Sequence, residues 1–307
     1  MANAPSTALR AVPLPRYRGA GQLRCVLYAT MRFSVRNDTL YRYSAPVGLA
    51  PHLLRLTPRA ERVRMLASEL TVEPAPAARR ESVDRFGNRI IEVSFAGASD
   101  LLRVESCFDL EISAPAPLHD CGLPRLPWSY RPQRAAADYW PEERQDAAVQ
   151  NFAETLAAES SWAAVPFLEH LSRTLFRRFH RNIRIEGAAQ APARTLATGR
   201  GACRDLTVLF MAACRSLGVA ARFVSGYQAH AETADGDRHL HAWPEVLLPD
   251  AGWRGFDPTH GTAVTDGHVA LCAAPDQAAT MPIEGGFYGD GVTATLDYRV
   301  RIATPGA

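Results

Sequence analysis

The chain has 307 residues, 47% of them hydrophobic and 21% charged, with 21 Gly and 22 Pro. That is length for about two domain cores at ordinary globular usage, so a peptide, a wholly disordered chain and a collagen-like repeat are excluded. All 34 basic side chains are arginine, lysine is absent, and 32 acids leave a formal net charge of +2; without basic runs, nucleic acid is not an expected partner.

Residues 1–23, rich in Pro, Ala, Gly and Arg, lack a continuous apolar core and read as a disordered extension, not a signal peptide. No uncharged apolar run approaches the roughly 18 residues of a membrane span, so no membrane partner is expected. The six cysteines (Cys25, Cys107, Cys121, Cys203, Cys214, Cys272) follow no CxxC or regular spacing. Neither a disulfide framework nor a zinc ribbon fits, and a reducing, cytoplasmic setting is expected.

Residues 24–112 carry strand signals at Cys25–Val35, Thr39–Tyr43, His52–Thr57, Leu70–Val72, Arg89–Phe95 and Leu101–Ile112. Asn37-Asp38, Pro46, Pro58 and Gly87-Asn88 punctuate them, which predicts an antiparallel β-sandwich domain. Residues 113–140 hold five prolines and read as a linker anchored by Leu126, Trp128 and Tyr130.

Residues 141–307 read as a second, α+β domain with helices on an antiparallel sheet. Val149, Phe152, Ala153 and Leu156, then Phe167, Leu168, Leu171, Leu175, Phe176 and Phe179, predict two helices. A loop from Glu186 to Ala202 is followed by Leu206, Leu209, Phe210, Ala213 and Leu217 at helical spacing, with Gly218 as the stop. Strands are predicted at Ala220–Tyr227, Leu240–Leu248, Trp253–Phe256, Val269–Cys272 and Ala294–Ile302.

Cys203 follows Gly199-Arg200-Gly201-Ala202 and opens that helix, where first-turn amides and the helix dipole favour a thiolate. The other reading of a lone cysteine is a small buried hydrophobe, which suits Cys25, Cys107, Cys214 and Cys272. Cys203 differs in its company: His241 heads an aromatic strand and Asp257 ends the next. A nucleophile, a base and a carboxylate that fixes the imidazole tautomer make a candidate triad. The hairpin must allow it. A four-residue loop, Pro249–Gly252, would set Asp257 opposite Pro244 and on the other face from His241. A loop of three or five residues, or a bulge, is required, and Gly252 suits one.

The stretches Gly-Arg-Gly-Ala-Cys-Arg-Asp, Val-Ala-Ala-Arg-Phe-Val-Ser-Gly-Tyr, His-Ala-Trp-Pro-Glu-Val and Gly-Trp-Arg-Gly-Phe-Asp-Pro-Thr resemble the core of the transglutaminase-like superfamily. Leu40-Tyr41-Arg42-Tyr43, the run from His52 to Arg59, and Asp84-Arg85-Phe86-Gly87-Asn88 resemble the β domain that precedes this core in a bacterial branch. The resemblance implies a papain-like fold, with Cys203 as nucleophile, His241 as general base and acid, and Asp257 as the orienting acid. By the same resemblance Trp243 and Glu245 would wall the site, or be core and solvent-face residues. Arg204 and Asp205 follow the nucleophile, Asp205 also suiting a first-turn stabiliser. Gln190 is a candidate second oxyanion donor beside the Cys203 amide. The sequence departs from the branch at Ala273-Ala274-Pro275-Asp276-Gln277, where a Gly-Arg-Asp-Tyr-like stretch is common.

The expected activity is thiol acyl transfer on a peptide or protein amide, resolved by water as in a cysteine peptidase or amidase. Transfer to an amine and a non-catalytic binding module are the alternatives. A chain without lysine cannot crosslink itself through side-chain amines. No cofactor is expected, and Asp235, Asp237, His239 and His241 read as a solvated turn in preference to a metal site. No oligomeric state follows from the sequence.

Overall fold

One continuous strand, β1 (Thr30–Leu49), spans 20 residues and organises the N-terminal half of the computed structural model. The structure describes residues 30–118, 122–129, 138–140, 146–184, 187–229, 238–249 and 251–304. The expected extension, Cys25, Cys121, Tyr130, Glu186, Asp235 and Asp237 lie outside these residues.

The remaining N-terminal strands are β2 (His52–Leu54), β3 (Val63–Glu73), β4 (Ala78–Val83), β5 (Arg89–Ser94) and β6 (Ala98–Ser113). In β6 every second residue from Leu102 to Ile112 is buried, the period-two pattern of a strand with one face on a core. β6 lies between β1 and β3, and β2 and β5 belong to a second sheet whose Leu54, Ile91 and Val93 pack in the same core as Phe33 and Leu110. This is the expected sandwich.

Two predicted breaks in β1 are absent. Asn37 and Asp38 continue the strand because tertiary partners satisfy them: buried Asn37 donates to the Tyr227 hydroxyl at 2.8 Å, and Asp38 accepts two bonds from Arg103. Pro46 falls at a register shift between Arg42 and Val47, where a missing N–H is tolerated. β4 is fully exposed along its length, so it offered no apolar signal.

The helical half contains α1 (Ala147–Glu159), α2 (Ala164–Arg178), α3 (Pro192–Thr198) and α4 (Cys203–Ser216). α3 is a seven-residue helix inside the predicted loop, begun by Pro192 and ended by Gly199 at φ 61°. It is flanked by a short parallel pair, β7 (His180–Arg181) with β8 (Arg200–Gly201). The sheet beneath uses β9 (Ala221–Gln228), β10 (His241–Leu248), β11 (Gly252–Asp257), β12 (Thr262–Ala263) and β13 (His268–Ala274), in the order β12-β11-β10-β9-β13.

α4 is the centre of this half. Leu206, Leu209, Phe210 and Ala213 have no exposed surface and share a core with Ala242, Val246, Leu248 and Phe256 of the sheet. Gly218 stops the helix at φ 80°, and a Cβ there would also lie 2.0 Å from the Trp128 carbonyl oxygen. The linker therefore packs: Leu126 is buried in the helical core and the Trp128 amide donates to Leu217.

The predicted boundary between 24–112 and 141–307 is crossed at the C-terminus. β14 (Ile283–Glu284) pairs with β2, while β15 (Phe287–Tyr288) and β16 (Ala294–Ala303) pair with β1. These strands close the N-terminal sheets and bring β1 and β16 to the edge of the helical half. Among the described residues no helix is long and apolar enough to cross a membrane.

Candidate active site

Ala202, at the N-cap of α4, has no side chain with which to bond the first-turn amides. Asp205 reaches back to stabilise the helix start. Its Oδ2 accepts from the Ala202 amide at 2.8 Å and from Gln190 Nε2 at 2.9 Å, and its Oδ1 accepts from the Gln190 amide at 2.8 Å and Arg184 at 2.7 Å. Asp205 is fully buried and satisfied by these donors. Gly201 is needed here because a Cβ would lie 2.8 Å from that of Asp205. Gln190 is thus bound to Asp205 and is not among the residues that line the cleft.

The β10–β11 hairpin settles the question of faces. Glu245 pairs with Gly255, Leu247 with Trp253 and Leu248 with Gly252, so three residues form the loop. Gly252 takes φ 68°. Continuing this register sets Asp257 across from Trp243, two residues from His241 and on the same face. His241 Nε2 donates to Asp257 Oδ2 at 2.9 Å, with both side chains fully buried.

Two further histidines share that oxygen. His260 Nδ1 and His268 Nε2 donate to Asp257 Oδ2 at 2.8 and 2.9 Å, while Oδ1 accepts the Thr259 amide at 2.9 Å. Burial opposes ionisation of Asp257, but the imidazoles outweigh it and hold the carboxyl well below its ordinary range. Burial pushes His268 down from its ordinary value, against the pull of Asp257. An ionised carboxylate only accepts, so the His241 proton is placed on Nε2 and Nδ1 is the basic nitrogen of the neutral ring. Ligand-type atoms of His241, Asp257 and His268 lie within 4.8 Å of one another, a closeness these hydrogen bonds account for.

Sequence reasoning missed His260 and His268. Their signal was density: four of the nine histidines, His239, His241, His260 and His268, lie within 30 residues of one another.

Cys203 is half-buried and opens onto a cleft of about 680 Å³, together with Thr259 and His260. The His260 ring lies 5.5 Å, centroid to centroid, from that of His241. Arg204 also lines the cleft and donates to the carbonyls of Arg184 and Gly187. His239 lines it too, bonded to the Tyr298 hydroxyl and not to Asp257.

Trp243 and Glu245 lie elsewhere. Trp243 packs beside the His241 ring but is 1% exposed among Val224, Val264 and Ala273. Glu245 is buried in an ion pair with Arg222 at 2.6 Å. Both border a separate cavity of about 30 Å³, lined also by Arg59, Arg62 and Val264.

The thiolate is disfavoured at the other described cysteines. Burial pushes the Cys214 thiol well above its ordinary value and that of Cys272 up to about 12; burial, with Glu105 beside it, also raises Cys107.

Residues 155–258 match the transglutaminase-like superfamily core, and residues 33–111 match the bacterial transglutaminase-like N-terminal region. An uncharacterized protein of Mycobacterium tuberculosis, strain H37Rv, is 29% identical over 297 residues, covering 90% of this chain and 94% of the relative. One of Mycobacterium leprae is 25% identical over 284 residues, covering 88% of this chain and 98% of the relative. The crystal structure of a Cytophaga hutchinsonii protein provisionally assigned as a cysteine protease has a TM-score of 0.70 at 17% identity. It covers 92% of this chain and 94% of that one, and shows the shared fold.

Proposed function

The chain combines a transglutaminase-like superfamily core, whose members are typically cysteine-dependent enzymes, with a bacterial transglutaminase-like N-terminal region, and on that premise we propose that it is a cysteine peptidase or amidase. The observation that carries this reading is the buried His241–Asp257 pair, 2.9 Å apart, behind a cleft onto which Cys203 opens from a helix start.

In the proposed reaction Cys203 Sγ attacks an amide carbonyl after His241 Nδ1 takes the thiol proton. The Cys203 backbone amide, in the first turn of α4, stabilises the oxyanion. Collapse of the tetrahedral intermediate breaks the C–N bond, and His241 passes its proton to the leaving amine. Water, deprotonated by the same nitrogen, then attacks the thioester and releases the acid and the free thiol. Asp257 keeps Nε2 protonated and stabilises the imidazolium formed between the two steps.

The test is labelling with a thiol-directed electrophile at neutral pH followed by peptide mapping, together with turnover of amide substrates with and without a labelled primary amine. The reading expects Cys203 to react ahead of the other cysteines, and ammonia or peptide to be released without the amine being incorporated. Labelling of Cys203 no faster than Cys107 would overturn it, and amine incorporation in place of release would move the assignment to acyl transfer between proteins.

A further inference from the structure

The cleft onto which Cys203 opens has two chemically different walls. One comes from the N-terminal sheet and the segment after β13, and presents Tyr41, Ile283, Leu296 and Tyr298. The other comes from the helical half and presents Cys203, His260 and Arg181. No Asp or Glu occurs among the described residues that line the cleft.

Arg181 is the distinctive group on the second wall. It is exposed, yet held in place from three directions. Its backbone pairs with Gly201, two residues before Cys203. Its NH1 donates to the Thr259 carbonyl at 2.6 Å, two residues after Asp257. Its guanidinium lies 5.0 Å from the centroid of the Phe176 ring. A guanidinium has five N–H donors, and the Thr259 carbonyl takes one. Among the described residues none of its partners is anionic, whereas the neighbouring Arg184 is matched by Asp205. An arginine anchored between the nucleophile loop and the loop after the acid has already lost much of its side-chain freedom, so ordering it around a ligand costs little.

We propose that this cleft takes amide substrates carrying a carboxylate near the scissile bond, and that Arg181 is the specificity-determining residue that holds that carboxylate. The inference rests on the acyl-transfer reading of Cys203. The carboxylate could be a Glu or Asp side chain or a peptide C-terminus, which present the same group to a guanidinium.

Iodoacetate and iodoacetamide test this without a known substrate, because they alkylate the same sulfur and differ in a carboxylate. Their rate ratio at Cys203 cancels the intrinsic reactivity of the thiol. Relative to the ratio for free cysteine, the wild-type value is expected to be raised about tenfold, the scale of one charge-assisted hydrogen bond. Arg181→Gln should bring it within about twofold of free cysteine, Arg181→Lys should retain part of it, and added salt should lower it in the wild type. An unchanged ratio in a folded Arg181→Gln protein overturns the proposal. Slow labelling of Cys203 by both reagents would count against the acyl-transfer reading alone, since the ratio is still measured. Protection by N-acetylglutamate α-amide would assign the pocket to side-chain carboxylates and protection by N-acetylalanine to C-termini; protection by neither would also overturn it.

Discussion

Leu248 lies directly opposite Gly252, so the β10–β11 hairpin turns on three residues. This count decides whether the site can exist. Side chains alternate along a strand, so with one residue more in the turn Asp257 would project from the face opposite His241. Gly252 makes the short turn possible through its φ of 68°; a Cβ at this position would meet nothing within 4 Å, so the requirement is purely conformational.

Inserting one glycine after Pro249 should therefore abolish turnover while leaving the rest of the fold in place. Loss of the orienting acid in comparable triads costs on the order of 10⁴ in kcat, and a similar drop is expected here. Gly252→Ala, by contrast, should lower stability by about 1 kcal/mol with the register and activity kept. Turnover and urea midpoints of the two variants separate the effects, and an active insertion variant would show that the register does not govern the site.

Three imidazoles on one carboxylate oxygen should not be equal in effect. His241→Gln removes the proposed base and should leave residual turnover at least about 10³-fold below wild type. His268 is not among the residues that line the cleft and acts through Asp257 as a positioning residue. Replacing it with Leu deletes one donor to a buried carboxylate, worth roughly 1–3 kcal/mol, and should lower kcat by about tenfold or more with KM unchanged. His268→Gln, which keeps an N–H donor, should recover part of that loss. A shift in KM alone would remove His268 from the positioning role.

Asp205 holds the start of α4 through Ala202, Gln190 and Arg184. Asp205→Ala leaves a partly buried guanidinium and the Ala202 amide without their acceptor, and should destabilise the protein by roughly 3–5 kcal/mol. Asp205→Asn retains one acceptor oxygen and should cost less. The labelling rate of Cys203 is the second readout. It should fall in both variants if Asp205 sets the geometry of the first turn.

The parts of this molecule that were legible in the sequence are those governed by local periodicity and by motif. Leu206, Leu209, Phe210 and Ala213 announce α4, and alternation from Leu102 to Ile112 announces β6, because each buries one face on one core. Asn37-Asp38 misled for the opposite reason. The residues that make a strand of them, Tyr227 and Arg103, are 190 and 65 positions away. β16 read correctly as a strand, but nothing within it says that it returns to β1. Within the site, Cys203, His241 and Asp257 were each singled out by sequence. Gln190, Trp243 and Glu245 were not placed, since whether a polar or aromatic group faces a cleft or an interior ion pair depends on what packs against it.

Acid should weaken the fold in two stages. Burial depresses His268 below its ordinary value of 6.5, so as pH falls through about 6.5 the unfolded chain takes up a proton that the folded chain resists. Stability is complete above that pH and declines below it. Asp257 behaves alike at lower pH: its folded value lies well below 3.8, so a second loss begins as pH falls past about 4, where the unfolded carboxylate protonates first. His241 and His260 contribute to the same cluster, so the comparison must be between wild type and a variant. His268→Gln should flatten the decline that begins as pH falls below about 6.5 and leave the second stage intact. Urea midpoints measured from pH 8 to 3 check this, and an unchanged slope in the upper window would assign that stage to other groups.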